Sequence, residues 1–555
     1  MTMRRDQLRW NGWGRLGESA GLPPARERWL LDELGRRLEH RFSPPPAPVA
    51  LEQIRLAPCK ISAETQSALR AACGDAGFSA GTLERVAHAV GRSLPDLLRL
   101  RRGDLPHAPD AVVYPPSEGA VASVLRIAAD ANLAVIPFGG GSSVVGGVEA
   151  RTLRGQAGAI SLDTTHLDAL VRIDRDSLTA TFQAGIDGPA LEAALRPHGL
   201  SLGHFPQSFE FSTLGGWIAT RSSGQSSSGY GAIEDLLVAV RVVTPEGVIR
   251  TLPAPRSAAG PDLNGLVLGS EGTFGVIVEA TLRVHEAPSA LEDRGMLFRS
   301  FSDGAAAVRD ATREGVHVAV MRLSDAAETE LGRTLRRDPA RRFDPAETAL
   351  GLLARLGYGE GRSALVYCVE AESRRKAAPA LRRMLSIGRA HRGVPLGSAP
   401  GRAWRRDRFR TPYLRDWLLD RGIAVDTFET ALSWSRLEQG HDVVLRAMRR
   451  AAELHAGAGL AMAHLSHSYA DGGCLYFTLL YPLDSGNEIV QWEAIKREVT
   501  EAIVAAGGTL SHHHGVGADH QPWLAREKGA LGLAALRAAR TALDPRGLMN
   551  PGKLL

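Results

Sequence analysis

The segment PFGGGSSVVGG, Pro137 to Gly147, constrains this chain more than any other. Three consecutive glycines and two serines follow the apolar run LAVIP, which reads as a strand end. Successive backbone N–H groups in such a turn can converge on an anion, and the missing side chains let a pyrophosphate come within hydrogen-bond distance. The layout is not a dinucleotide fingerprint, and a Walker A loop needs a lysine that is absent here. Glycine is in excess, 60 of 555 residues, against an average near 7%. The excess falls in clusters rather than in a repeat, which points to backbone approaching a ligand.

Around this loop the text alternates strand-like and helical runs: AVVYPPS, VASVLRIAADAN and LAVIPFGGG, then AISLDT, LVRIDRDSLTATFQAG and PALEAALRPHG. Strand, helix, strand with a glycine-rich turn is an α/β nucleotide-binding signature. LLVAVRVVTPEGVIRTL then reads as an antiparallel hairpin, so the class is α+β. The expected divisions are a helical N-terminal region (1–105), a nucleotide-binding domain (106–288), a second α+β domain with an antiparallel sheet (289–510), and a C-terminal segment (511–555) that returns to the nucleotide-binding domain. Within the first, SLPDLLRLRRGDLP reads as a capped helix stopped by Gly103 and Pro106.

Charge and cysteine usage exclude other classes. The formal net charge is +5 with both signs interspersed, so no footprint for nucleic acid is present. The four cysteines, Cys59, Cys73, Cys368 and Cys474, form neither a disulfide framework nor a common zinc spacing. The opening MTMRRDQLRWNGWG has no apolar core, and no run of about 18 apolar residues occurs. The expected location is cytoplasmic, with a peripheral contact on the inner face of the membrane left open.

Two further segments change what the glycine loop means. QSFEFSTLGGWIATRSSG (Gln207 to Gly224) and GSEGTFGVIVEA (Gly269 to Ala280) are rich in glycine and hydroxyls. They offer neutral donors suited to a phosphate and a flat heterocycle. In this order the three segments resemble the PCMH-type, two-subdomain flavin-binding domain of the vanillyl-alcohol oxidase superfamily. The resemblance implies an FAD site made by Pro137, Phe138, Gly139, Gly140, Gly141, Ser142 and Ser143 at the pyrophosphate. Gln207, Ser208, Phe209, Glu210, Phe211, Ser212, Thr213, Thr220, Arg221, Ser222 and Ser223 would run beside the isoalloxazine. Glu271, Gly272, Thr273, Phe274, Gly275, Val276 and Ile277 would meet the adenine half. Residues 137–147 hold no His or Cys, so the expected FAD is non-covalent.

The run SHHHGVG (Ser511 to Gly517) places three imidazoles together. In an extended segment His512 and His514 would share a face that His513 does not. A metal site, an acid/base cluster and a polar tract are the open readings, and the absence of an Asp or Glu ligand pattern leaves no metal expected. Here, with WNGWG, FEFSTLGGW and TRSSG, the chain resembles the alkyldihydroxyacetonephosphate synthase family of ether-lipid flavoenzymes, and its tail GLMNPGKLL resembles the broader FAD-linked oxidases. The resemblance implies Arg415 (in PYLRD) as substrate-binding, and Tyr476 (in GGCLYF), Arg322 (in VMRLSD), His512, His513 and His514 as catalytic; Thr427-Phe428-Glu429-Thr430 and Trp434 follow its FETxxxW pattern. The implied reaction replaces the acyl chain of acyl-dihydroxyacetone phosphate with a long-chain fatty alcohol, through a flavin N5 adduct. It releases a fatty acid and leaves alkyl-dihydroxyacetone phosphate. The alternative is an FAD-linked dehydrogenase or oxidase of a 2-hydroxy acid such as D-lactate or glycolate. Two positions depart from the family: Ala518 replaces a lysine, and His464 stands where animal members have an arginine. A homodimer is left open.

Overall fold

The computed structural model describes residues 7–18, 24–337 and 345–555. Residues 1–6 and 19–23 of the expected N-terminal region lie outside the described residues.

The apolar run Leu133–Phe138 ends one side of a four-stranded sheet, and its neighbours explain its composition. It pairs in parallel with Gly158–Asp163, which pairs in parallel with Ala111–Val113. A strand buried on both faces needs a continuous apolar run rather than alternation. The helix Glu118–Asp130, capped by Ser117, covers the sheet. Phe78–Ser79 adds a short antiparallel edge to this sheet, so the N-terminal region is built into it.

A second, five-stranded antiparallel sheet carries Leu170–Asp174, Thr179–Gln183, Val276–Arg283, Leu237–Thr244 and Gly247–Arg250, in that order. The helix Leu94–Arg102 matches its expected signals: Ser93 and Asp96 form a capping box, and Gly103 takes the left-handed conformation at its end.

The larger sheet has seven antiparallel strands in the order Val394–Gly397, Ala290–Phe298, Ser363–Ala371, Val320–Ser324, Leu460–Ser468, Gly472–Pro482, Ile423–Ser433. The helices Phe301–Arg313, Arg374–Ala390, Trp434–Ala456 and Glu488–Ala505 contribute to the core packed on one face. The opposite face is left to line a cavity. Helix Thr411–Leu419, which carries Arg415, is tied to the N-terminal loop. The Asp416 carboxylate accepts from the Trp13 amide at 2.5 Å and from Arg101 at 3.2 Å.

The helix Leu524–Leu543, broken at Gly529, leads into a tail that runs beside Leu133–Phe138. Val135 N donates to the Leu548 carbonyl at 2.8 Å, and Asn550 N to the Val135 carbonyl at 2.9 Å. Among the described residues no helix is long and apolar enough to cross a membrane.

Candidate active site

One cavity of about 1490 Å³ joins the glycine loop to the open face of the seven-stranded sheet. Pro137, Phe138, Gly139, Gly140, Gly141, Ser142 and Ser143 all line it, with Gln207, Ser208, Glu210, Ser212, Thr213, Thr220, Ser222, Ser223, Glu271, Gly272, Gly275, Val276 and Ile277. The structure gives the glycines a further reason. A Cβ on Gly140 would lie 1.9 Å from the Phe211 carbonyl oxygen, and one on Gly139 2.2 Å from the Thr213 hydroxyl. The loop is therefore glycine partly because the FEFST segment packs directly on it. Backbone donors and hydroxyls dominate this end, and the loop itself carries no charged side chain, which fits a pyrophosphate held by neutral donors.

Several expected cofactor residues are placed elsewhere. Phe209 stacks on Phe409 with centroids 5.4 Å apart, and Phe211 packs edge-on against Trp13 at 5.8 Å. Thr273 and Phe274 are buried, the Thr273 hydroxyl donating to the Ser270 carbonyl. Arg221 turns outward to the Leu268 carbonyl. These five shape the walls and do not line the cavity. The Glu271 carboxylate accepts from Val516 N and Gly517 N, each at 2.6 Å, and so fastens the histidine loop to the cofactor domain.

That loop is not extended, and the expected alternation of its side chains fails for a definite reason. The buried Glu429 carboxylate gathers it from below. One oxygen accepts from the Ser511 hydroxyl (2.8 Å) and from the amides of His512 (3.1 Å), His513 (2.8 Å) and His514 (2.6 Å). The other lies 2.5 Å from His513 Nδ1. Three successive amides aimed at one atom force a tight curve, and the rings cluster, with His513 centroids 5.2 Å from His512 and 4.8 Å from His514. His513 and His514 line the cavity, whereas His512 turns to the Tyr469 hydroxyl at 2.6 Å.

Tyr476 meets this cluster on the sheet. Its ring lies against His464 on one side (5.0 Å, 22°) and near His513 (6.0 Å, 17°), with His514 edge-on at 5.5 Å. Burial pushes the phenol up to about 12, and the Thr427 side chain and the Arg415 charge pull against it. Arg322 donates to Glu328 at 2.8 Å and reaches His464 Nδ1 at 3.0 Å. Arg415 donates through Nη1 to the Arg92 carbonyl at 3.2 Å, while its buried Nε has no protein acceptor. All three line the cavity.

The structure adds residues with no role assigned from sequence. Glu429 lies within FETxxxW, but nothing there says that it faces the triple histidine. His464 and His467 both line the cavity although three apart on a strand, because a bulge between Leu465 and His467 resets the alternation. That bulge has no signal in AMAHLSHS.

Burial holds several of these imidazoles neutral: His512 and His514 are lowered to about 4, and His204 and His520 to about 3. In an unfolded chain each would titrate near 6.5. Below that pH the unfolded state takes protons that the folded state refuses, so stability is full above ~6.5 and falls toward ~4. Each group contributes up to ~1.4 kcal/mol per pH unit. Urea midpoints measured from pH 7 to 4.5 are expected to fall steeply below pH 6.5. A flat profile would contradict this burial.

The comparisons with known proteins fit this geometry. The family of FAD linked oxidases, C-terminal domain, matches residues 293–554, and the FAD binding domain family matches residues 109–253. The chain is 33% identical to an alkyldihydroxyacetonephosphate synthase of Dictyostelium discoideum, covering 99% of this chain and 93% of that protein. It is 32% identical to one of Trypanosoma brucei brucei, over 99% and 92%. A solved alkyldihydroxyacetonephosphate synthase structure superposes with a TM-score of 0.84 at 30% identity, covering 99% of both chains. An uncharacterized FAD-linked oxidoreductase of Escherichia coli O157:H7 matches at 27% identity and a mitochondrial D-lactate dehydrogenase (cytochrome) of Saccharomyces cerevisiae at 28%, each over 80% of this chain and over 89% and 72% of those proteins.

Proposed function

The chain belongs to the alkyldihydroxyacetonephosphate synthase family, FAD-dependent enzymes, and from that premise we propose the substrates and the residues that act on them. The substrates are acyl-dihydroxyacetone phosphate and a long-chain fatty alcohol. The products are alkyl-dihydroxyacetone phosphate and a fatty acid.

The polarity of the open sheet face carries this reading. Strand register sets His464 opposite Tyr476, Met462 opposite Thr478, and Leu460 opposite Leu480. On the other side Thr427 faces Thr478, and Val425 faces Leu480. Same-face residues two apart lie ~7 Å apart along a strand, so polarity falls row by row away from Tyr476. The far rows join Leu30, Leu331, Leu335, Leu414 and Leu418 in an apolar cluster whose members also line the cavity. An alkyl chain anchored at Tyr476 finds a continuous apolar wall there. A small hydroxy acid would leave it unused.

Bound FAD supplies the nucleophilic centre of the exchange. The chain's own residues bind the substrate and move its protons. Arg415 offers its unpartnered Nε to the ester carbonyl and then to the departing carboxylate, a charge-assisted contact. Tyr476 moves the proton on the substrate carbon that changes partners. Arg322, held by Glu328, sets the charge beside His464 and Tyr476. His513 and His514 face the phosphate side. The glycine loop contains no His or Cys, which supports dissociable FAD.

Arg415→Lys removes the planar fork and its Nε–H. Loss of a hydrogen bond to a charged group costs ~1.5–3 kcal/mol, so KM for acyl-dihydroxyacetone phosphate is expected to rise roughly 10- to 150-fold by initial-rate kinetics, with flavin content unchanged. An unchanged KM would remove Arg415 from the substrate site. The function itself is tested anaerobically, with acyl-dihydroxyacetone phosphate and hexadecanol in one cuvette and D-lactate in another. Ether product and free fatty acid without net electron transfer support the proposal. Bleaching by D-lactate with no ether formed would replace it with the dehydrogenase reading.

A further inference from the structure

Two side chains that the exchange leaves unused adjoin the histidine loop. His467 follows the bulge in Leu460–Ser468, and Cys474 faces it across the pair on Gly472–Pro482. One ring nitrogen from each of His467, His512 and His513 and the Cys474 sulfur all lie within 4.8 Å of one another. A tetrahedral zinc site with nitrogens at ~2.0–2.1 Å and sulfur at ~2.3 Å places its ligand atoms roughly 3.3–3.6 Å apart. Side-chain shifts of about 1 Å would close the set. Three imidazoles and a thiolate are a donor set for a borderline-soft divalent cation rather than for magnesium or calcium.

The outer partners point the same way. His467 Nε2 lies 3.1 Å from the Gly224 carbonyl, His512 Nε2 2.6 Å from the Tyr469 hydroxyl, and His513 Nδ1 2.5 Å from the Glu429 carboxylate. A protein oxygen orients each ring through one nitrogen, as in metal-ligating histidines, while His467 Nδ1 also meets the Ser466 hydroxyl at 2.8 Å and His512 Nδ1 meets His513 Nδ1 at 2.9 Å, contacts that a bound cation would displace. Cys474 is fully buried beneath them, and the cavity reaches His467 and His513, which gives a cation a path in. Spacing rules miss the set because two of its members come from paired strands and two from a loop.

We propose that His467, Cys474, His512 and His513 bind a borderline-soft divalent cation, Zn²⁺ first among them, and that the bound cation stops the exchange. On binding, the Cys474 thiol gives up its proton to solvent as the sulfur–metal bond forms, with no change of oxidation state. His513 is then held by the metal and withdrawn from the substrate cavity. The inhibitory half rests on the proposed function; the binding half does not.

The test uses the full-length FAD-loaded protein, stripped with a chelator and titrated with ZnCl₂. Zinc-edge X-ray absorption and the exchange assay are read together. One zinc per chain is expected, with a sulfur scatterer at about 2.3 Å and nitrogens at about 2.0–2.1 Å. Turnover should fall in step with occupancy and return with EDTA. Cys474→Ser should keep metal-free turnover and flavin content and bind zinc at least about tenfold more weakly. His467→Asn gives the same readout of zinc affinity if the serine variant does not fold. Zinc bound without sulfur, or bound equally by both variants, overturns the site. Sulfur-ligated zinc with full turnover overturns the inhibition. If no ether forms under any condition, the function fails while the absorption spectrum still decides the site.

Discussion

Tyr476→Phe is expected to lower turnover by roughly 10²–10⁴-fold, the range of a lost proton-transfer group, while the flavin stays bound and its absorbance unchanged. The ring packs between His464 and the histidine loop, and phenylalanine keeps that packing, so only the hydroxyl is removed. With the phenol pushed up to about 12 by burial, the resting residue is neutral near pH 7 and a poor base. It becomes competent when a substrate held by Arg415 keeps that cation beside it, since an adjacent positive charge favours phenolate. A flavin-linked hydroxy-acid dehydrogenase would give a different signature, with ether formation absent from the wild type also. Measured by single-turnover product formation at matched flavin content, a loss below about threefold would leave Tyr476 a packing residue of the sheet.

How far the sequence discloses this site follows from what local text can encode. The glycine loop is legible because a run of residues without side chains admits few explanations. Even so, Gly139 and Gly140 answer to Thr213 and Phe211, which lie some 70 residues away in sequence, as well as to a ligand. Helix Leu94–Arg102 is legible to the residue, since Ser93, Asp96 and Gly103 are local signals. The curvature of His512 to His514 is not local. It is imposed by Glu429 on another strand, and strand periodicity alone would open the loop. The clustering of His464 and His467 likewise depends on a bulge between paired strands, where the sequence period of two is broken without a glycine or proline to mark it. Phe209, Phe211, Thr273 and Phe274 share motifs with cavity-lining neighbours, but a motif does not say which of its side chains point inward.

Glu429→Ala is expected to remove the histidine loop from the active site altogether. The carboxylate is the common acceptor of one hydroxyl and three consecutive amides, and each donor left buried and unpaired costs about 1–3 kcal/mol. The loop's cheapest response is to open into water, which carries His513 and His514 away from Tyr476. Misplacement by about 1 Å already costs about 10²-fold in rate, so turnover is expected to fall at least that far. FAD should be retained, because the glycine loop and the FEFST segment do not depend on Glu429. Burial alone would raise this carboxyl, but the adjoining imidazoles of His513 and His514 and the close His513 contact outweigh it and hold it well below the usual range. Its contribution is therefore complete above the ordinary glutamate value of ~4.3 and lost only as pH falls below that. Glu429→Gln separates position from charge: the amide oxygen still accepts from the loop, whereas the His513 pairing is lost. The glutamine variant should keep protease resistance at the loop and recover part of the activity that alanine loses. Equal activity of the alanine variant and the wild type would show that the loop holds its shape without Glu429, and that the amides converging on it do not position the histidines.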